Sequence, residues 1–335
     1  MATDSVSRGD FLHSKTVSAT HPPKIFFVVP CCNEEAVLVH TANVLEVKYQ
    51  QLVQKTAISR DSRIIFVDDG SKDQTWSIIH KLHEGNEKLF GGVRLAHNRG
   101  HQNALYAGLM CALKEGCDAA ISMDADLQDD VGIVEKFIEH YVKGDEIVFG
   151  VRSARKKDTW FKKTSAEIFY KVFSWMGAET VPNHADYRLM SRVALEALSE
   201  YQEVNLFLRG IVPMLGFRTS KVYYERGERV AGDSKYPLKK MIAFAVQGIT
   251  SFSTRPLSFV TFAGSVSVLV GFLMFVYVLV SLFAGKAIAG WGSLMCSVWM
   301  IGGFIMLSLG IVGEYVGKIY LEVKHRPRYC IETEL

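Results

Sequence analysis

The chain has 335 residues, a formal net charge of +3 and 49% hydrophobic residues. That length accommodates one large domain of about 200–250 residues plus further segments, and so small a net charge gives no reason to expect a nucleic-acid partner. The six cysteines (Cys31, Cys32, Cys111, Cys117, Cys296 and Cys330) form no Cys-x-x-Cys pair and have no histidine at zinc spacing, which argues against a structural zinc site and fits a reducing compartment.

Residues 1–21 are polar and Ser/Thr-rich with no apolar run, the composition of a disordered tail and not of a signal peptide. From 24 to 150, apolar runs alternate with helical patterns. Strands are expected at 24–30, 63–68, 92–95, 119–123 and 146–150, and helices at 34–54, 75–84, 102–114 and 131–143. Such alternation predicts an α/β fold, a parallel sheet with helices on both faces. Ligands of these sheets bind at the C-terminal strand edges, where the acidic motifs of this sequence fall.

The first motif follows the first strand: Pro30, then Asn33-Glu34-Glu35 opening a helix. The second is Asp68-Asp69-Gly70 at the end of the next strand, a turn sequence. The third is Ile121-Ser-Met-Asp-Ala-Asp-Leu-Gln-Asp-Asp130. On a strand end, Asp124 and Asp126 would point the same way because side chains alternate, making a hard-oxygen site for Mg²⁺ or Mn²⁺ that bridges to a diphosphate. The local alternative is a cap, with Asp129 or Asp130 starting the helix near Val131.

Residues 160–176 carry an apolar stripe (Phe161, Phe169, Phe173) opposite Lys162, Lys163 and Lys171; a second such helix runs over 239–253. Each fits the membrane interface or packing against the sheet. The runs 259–283 and 292–312 contain no charge, and each reaches the ~20 residues that cross a ~30 Å hydrocarbon core. Lys239, Lys240 and Arg255 precede them, and Lys318, Lys324, Arg326 and Arg328 follow, so both flanks are expected on the cytoplasmic side. Basic clusters beside such spans suit anionic headgroups.

The motif order Asn33-Glu34-Glu35, Asp68-Asp69-Gly70, His97-Asn-Arg-Gly-His-Gln-Asn103, Asp124-Ala-Asp-Leu-Gln-Asp129 and Gly150-Val-Arg152 resembles the family 2 glycosyltransferases of the GT-A fold. Asp186-Tyr-Arg-Leu-Met190, Gly232-Asp-Ser-Lys-Tyr236 and Gly313-Glu-Tyr-Val-Gly-Lys-Ile-Tyr320 followed by Arg326-Pro327 resemble the polyprenyl-phosphate sugar transferases within it, the GtrB-like and dolichol-phosphate-mannose-synthase-like group. The resemblance implies a GT-A mixed-sheet catalytic domain over 22–238, an interfacial helix over 239–256, transmembrane helices over 257–284 and 291–314, and a cytoplasmic tail over 315–335. It implies an inverting enzyme of the bacterial inner membrane, homo-oligomeric and tetrameric, with a nucleotide sugar donor and a polyprenyl phosphate acceptor. Asp126 and Gln128 would hold the metal with Asp124 nearby; Pro30, Glu34, Asp68 and Asp69 would line the nucleotide pocket. Arg152, Lys162, Lys163 and Ser165 would meet the acceptor phosphate, Arg229 and Lys235 would form a mobile cationic loop, and Asp186 and Asp129 would assist catalysis, Asp186 as a base or an orienting group. UDP-glucose is the first expectation for the donor, ahead of UDP-N-acetylglucosamine and GDP-mannose. Two readings compete: a processive polysaccharide synthase, whose Gln-x-x-Arg-Trp motif this sequence lacks, and a non-catalytic sugar-nucleotide scaffold, which would not need its acids. Departures from the family pattern are Asp130, where many relatives carry proline, and Cys31-Cys32.

Overall fold

The computed structural model describes residues 21–153, 184–203, 206–225 and 291–335, with scattered positions between 257 and 273. β1 (Ile25–Cys31) is buried along its whole length, which its continuous apolar run dictates. It pairs in parallel with β2 (Arg63–Asp68) and β4 (Ala119–Ser122), and β2 pairs in parallel with β3 (Phe90–Leu95). The connecting helices are α1 (Leu38–Gln54), α2 (Thr75–Gly85) and α3 (His101–Lys114). A 3₁₀ turn (Val131–Ile133) leads into α4 (Val134–Val142) and then β5 (Ile147–Arg152).

Strand alternation sorts the core into two layers. Phe27, Val29, Ile64 and Phe66 pack under Leu45 of α1, Ile79 of α2 and Phe137 of α4. Phe26, Val28, Ile65 and Val67 pack under Leu105 and Leu109 of α3, with Leu195 of α5 (Arg192–Ser199) and Ile211 of α6 (Leu208–Met214). α3 lies so close to the sheet that a Cβ on Gly108 would fall 2.4 Å from Val28 Cγ1 and 2.6 Å from Val67 Cγ2.

The parallel pairing expected from the alternation over 24–150 holds from β1 to β4, and beyond it the sheet is mixed, as the resemblance implied. Among the described residues it has eight strands, in the order β7-β5-β6-β4-β1-β2-β3-β8. β6 (His184–Ser191) inserts antiparallel between β4 and β5, β7 (Thr219–Tyr224) lies parallel on β5, and β8 (Ile331–Glu334) lies antiparallel on β3. β6 carries buried Asp186 and Arg188, and β8 reads Ile-Glu-Thr-Glu, so neither shows the apolar run of an interior strand. Two further boundaries moved. α1 begins at Leu38 and not at 34, because the intervening amides are bonded sideways: Asn33 N–H to Ser71 Oγ, Glu34 N–H to Thr75 Oγ1 and Glu35 N–H to Asp73 Oδ2. The helical run expected from 131 opens instead as a 3₁₀ turn capped by Asp130, whose Oδ1 accepts the Gly132 N–H at 2.7 Å.

α7 (Trp291–Val323) is one helix of 33 residues that continues past the end expected at 314. At ~1.5 Å per residue it exceeds the ~30 Å of a bilayer core. Its segment Phe304–Val323 is the one helix among the described residues long and apolar enough to cross a membrane, and none of that segment's most apolar stretch is buried. Phe304, Ile305, Met306, Leu307 and Leu309 are all exposed, an arrangement water does not tolerate on a soluble helix. The helices expected at 160–176 and 239–253 lie outside the described residues, as does most of the run 259–283.

Candidate active site

The loops after β1 and β2 are stitched into one surface at the C-terminal edge of the sheet. Pro30 sits beyond the last β1–β4 pair, Val28↔Ser122, where β1 has only β2 beside it, a place that accommodates the missing N–H. Asn33 takes a left-handed backbone at φ 55° and accepts the Lys72 N–H on its Oδ1, while Glu35 accepts the Gln74 N–H. Asp68 is fully buried; its Oδ1 accepts the Ser71 N–H at 3.0 Å and its Oδ2 lies 3.6 Å from Arg94 Nε. Asp69 accepts the Arg99 N–H on Oδ1 and the Gly100 N–H on Oδ2, at 2.6 and 2.9 Å. Burial outweighs these bonds and raises its carboxyl above the usual range. Both acids therefore shape loops: Asp69 fixes the turn that launches α3.

The next turn holds the proposed metal ligands. β4 ends at Ser122, so Asp124 and Asp126 do not lie on a strand; they are presented by a turn. Asp126 Oδ1 accepts the Gln128 N–H at 3.2 Å, and Leu127 has φ 50°. Asp124 is half-buried, and its carboxyl is raised by burial and by the charges of Asp129, Asp186 and Asp126, against the pull of His101. A carboxylate crowded in this way favours a cation. The buried Gln128 amide nitrogen Nε2 has no hydrogen-bond partner among the described residues. Two carboxylates and an amide oxygen form a hard donor set, and the turn fits Mg²⁺ or Mn²⁺.

Across the turn, Asp186 on β6 is enclosed by cations. Its Oδ1 meets Arg188 Nη2 at 2.5 Å; its Oδ2 accepts from Arg209 Nη2 at 2.9 Å and from Gln102 Nε2 at 3.2 Å. Burial alone would raise this carboxyl, but Arg209, His101 and Arg188 hold it well below the carboxylate range. A group held so firmly ionised is a weak base and a strong orienting charge. His101, the first residue of α3, bridges the two acids, its Nε2 3.6 Å from both Asp124 Oδ1 and Asp186 Oδ2. Burial lowers its basicity, yet the Asp186 bond and both charges outweigh that, and its pKa is raised.

On the far side, Asp129 is buried and its Oδ1 accepts from Arg152 Nη2 at 3.0 Å and from the Tyr224 hydroxyl at 2.5 Å. Asp129 thus ties the acidic turn to the ends of β5 and β7. Arg152, expected at the acceptor phosphate, lies at this edge with its guanidinium turned to Asp129. The structure brings together Pro30, Glu34, Asp68, Asp69, Asp124, Asp126, Gln128, Asp129, Arg152 and Asp186 on one sheet edge; Lys162, Lys163, Ser165, Arg229 and Lys235 lie outside the described residues. Sequence reasoning passed over His101, Gln102, Arg188, Arg209 and Tyr224. His101 and Gln102 stand inside a motif already singled out. Arg188 likewise stands inside the quoted motif Asp186-Tyr-Arg-Leu-Met190, while Arg209 and Tyr224 offered no local signal.

The model of the glycosyl transferase family 2 matches residues 26–199. The uncharacterized glycosyltransferase YkoT of Bacillus subtilis (strain 168) is 48% identical over 313 residues, 93% of this chain and 92% of its own length. The bactoprenol glucosyl transferase of Shigella phage SfV is 38% identical over 93% of this chain and 99% of its own, and the prophage bactoprenol glucosyl transferase homolog of Escherichia coli (strain K12) is 38% identical over 92% and 98%. A solved mannosyltransferase from Pyrobaculum calidifontis aligns over 90% of this chain and 86% of its own at 17% identity, with a TM-score of 0.42, too loose a match to carry an argument. With a mixed α/β sheet, an acidic turn at its C-terminal edge and relatives that match along nearly their whole length, the chain belongs to glycosyl transferase family 2 and is a glycosyltransferase.

Proposed function

We propose that this glycosyltransferase moves one sugar from a nucleotide diphosphate donor to a polyprenyl monophosphate at the cytoplasmic face of the membrane. The observation that carries the lipid acceptor is the register of β8. Its first residue, Ile331, pairs with Leu95 at the C-terminal end of β3, the edge that carries the acidic turns. α7 ends at Val323, so residues 324–330 span the distance between the apolar helix and that edge. At no more than ~3.6 Å per residue the link reaches about 25 Å. The catalytic edge is thereby tethered at the bilayer, where a lipid phosphate lies.

β8 also fixes the parity of membrane crossings. It belongs to the catalytic sheet, so if α7 crosses the bilayer, the chain between β7 and α7 crosses as well; the uncharged run 259–283 supplies that crossing. The basic flanks favour the cytoplasm for the shared side. The names of the phage and prophage relatives favour glucose as the sugar and bactoprenol, that is undecaprenyl, phosphate as the acceptor, and UDP-glucose is the donor we infer first, ahead of UDP-N-acetylglucosamine and GDP-mannose.

In this reading Asp124, Asp126 and Gln128 hold Mg²⁺ or Mn²⁺, which when bound neutralises charge on the departing diphosphate. Pro30 and Glu34 line the nucleotide pocket, and Asp68 and Asp69 hold its walls. An oxygen of the lipid phosphate forms the new bond to the anomeric carbon as the bond to the diphosphate breaks, with inversion. That oxygen is already anionic, so no strong base is required. Asp186 accordingly orients His101 and Arg209. Arg152, Lys162, Lys163 and Ser165 restrain the acceptor phosphate, and Arg229 and Lys235 close over the donor. The test is incubation of the purified full-length chain with undecaprenyl phosphate and a panel of labelled nucleotide sugars. Label from UDP-glucose should enter the organic phase; transfer only to water or to soluble acceptors would refute the proposal.

A further inference from the structure

A second feature of the α7–β8 link stands apart from the catalytic edge. A cleft of about 420 Å³ opens between the link and the sheet domain, walled by Tyr106 of α3, by Tyr201 and Gln202 after α5, and by His325, Arg326 and Arg328 of the link. This volume lies within the roughly 300–1,000 Å³ of small-ligand sites. Among the described residues no carboxylate lines it. Glu203 lies within electrostatic reach of the cleft's Arg328: burial and the Glu322 charge raise the Glu203 carboxyl, and Arg328 pulls it back.

We propose that this cleft binds the phosphate headgroup of an anionic lipid of the cytoplasmic leaflet, at a site separate from the one where sugar is transferred. The inference rests on the reading that α7 spans the bilayer. Three observations carry it. The cleft opens just past Val323, the end of α7, on the far side of Glu314 and Lys318 from the uncharged run 292–312, and so faces the membrane surface and its negative potential rather than the hydrocarbon. Arg328 is held in place: its guanidinium lies 4.6 Å over the Tyr106 ring and donates to the Tyr201 carbonyl, and Tyr329 packs edge-on against Tyr106. His325 has φ 45°, a left-handed turn that glycine normally makes at a helix end, and it swings the chain so that His325 and Arg326 wall the cleft. Basic residues here also complement the negative end of α7. That need is met within the last turn and just after it, by Lys324, whose ammonium lies 4.1 Å over the Tyr320 ring. It does not call for arginines two and four residues further on.

The test uses the full-length chain purified in detergent, without nucleotide sugar, so that an inactive enzyme would leave the outcome unchanged. Native mass spectrometry reads the retention of phosphatidylglycerol against phosphatidylcholine. The wild type should favour phosphatidylglycerol by about fivefold or more, the scale of one basic residue at a membrane surface. The double variant His325→Ala/Arg326→Ala should lose that preference, and Arg326→Lys should keep most of it, with unfolding temperatures confirming that each variant is folded. Equal retention of the two lipids by the wild type, or an unchanged preference in the double variant, would overturn the proposal. So would displacement of the bound lipid by millimolar inorganic phosphate, which would assign the cleft to a soluble anion.

Discussion

Asp186 shows how a single side chain can be read as a base in sequence and as a fixed charge in structure. Arg188 and Arg209 grip its two oxygens, and both arginines depend on it for neutralisation. Asp186→Asn should cost about 3–5 kcal/mol of stability, the scale for breaking a buried ion pair. The depressed carboxyl contributes stability that is complete above its unfolded pKa of ~3.9 and is lost as pH falls through the folded value. In pH-dependent unfolding, the gap between wild type and variant should stay constant above about pH 5 and narrow below pH 4; a gap that widens on acidification would contradict this assignment. Asp126→Asn should leave the fold intact yet lower transfer by about 10²–10³, the scale for removing a preorganised electrostatic group. Gly70 was legible as a turn but not as a contact. At φ +62° it abuts the next loop so closely that a Cβ would meet the Asn98 amide nitrogen at 2.6 Å. Gly70→Ala should lose about 1–3 kcal/mol from the left-handed backbone alone, measured by thermal unfolding, and should weaken donor binding. The acids of the site were readable because carboxylates at strand ends stand out locally. The arginines that neutralise Asp186 come from β6 and α6, which no local pattern links to the acidic turn.

At the scale of elements, β1 to β4 and α1 to α3 were readable because apolar runs and helical periods are local signals. β8 was not: the expectation over 315–335 is a cytoplasmic tail, and its last residues form a strand. Its pairing to β3 is supported by side chains a sequence cannot pair: Lys114 with Glu334, Arg94 with Glu332, and Leu335, which exchanges backbone hydrogen bonds with Gly92. Arg94 also faces Asp68, so the strand reaches the proposed nucleotide pocket through one guanidinium. Removal of residues 331–335 should therefore lower both stability and donor affinity. A loss of about 2 kcal/mol corresponds to a drop of roughly 4–8 °C for a domain of this size. Thermal unfolding and donor calorimetry on the truncated chain would reveal it; unchanged affinity would leave β8 as an edge cover only.

Across the whole molecule, a sheet that includes a strand returning from α7 puts β7 and β8 on the same side of any bilayer that α7 crosses. A variant whose only cysteine is Cys330, which is exposed beside the sheet, should resist a membrane-impermeant thiol reagent in intact cells, and one whose only cysteine is Ala287→Cys should react. The reverse pattern would put the acidic edge on the side without nucleotide sugars. The most direct measurement is transfer itself: purified full-length protein, labelled UDP-glucose, undecaprenyl phosphate and Mg²⁺ or Mn²⁺, followed by partition of the label between water and organic solvent. The account predicts metal-dependent passage of label into the organic phase that requires the lipid phosphate, disappears with chelator and collapses in Asp126→Asn. Label that reaches the organic phase at the same rate in chelator, or in Asp126→Asn, would contradict it.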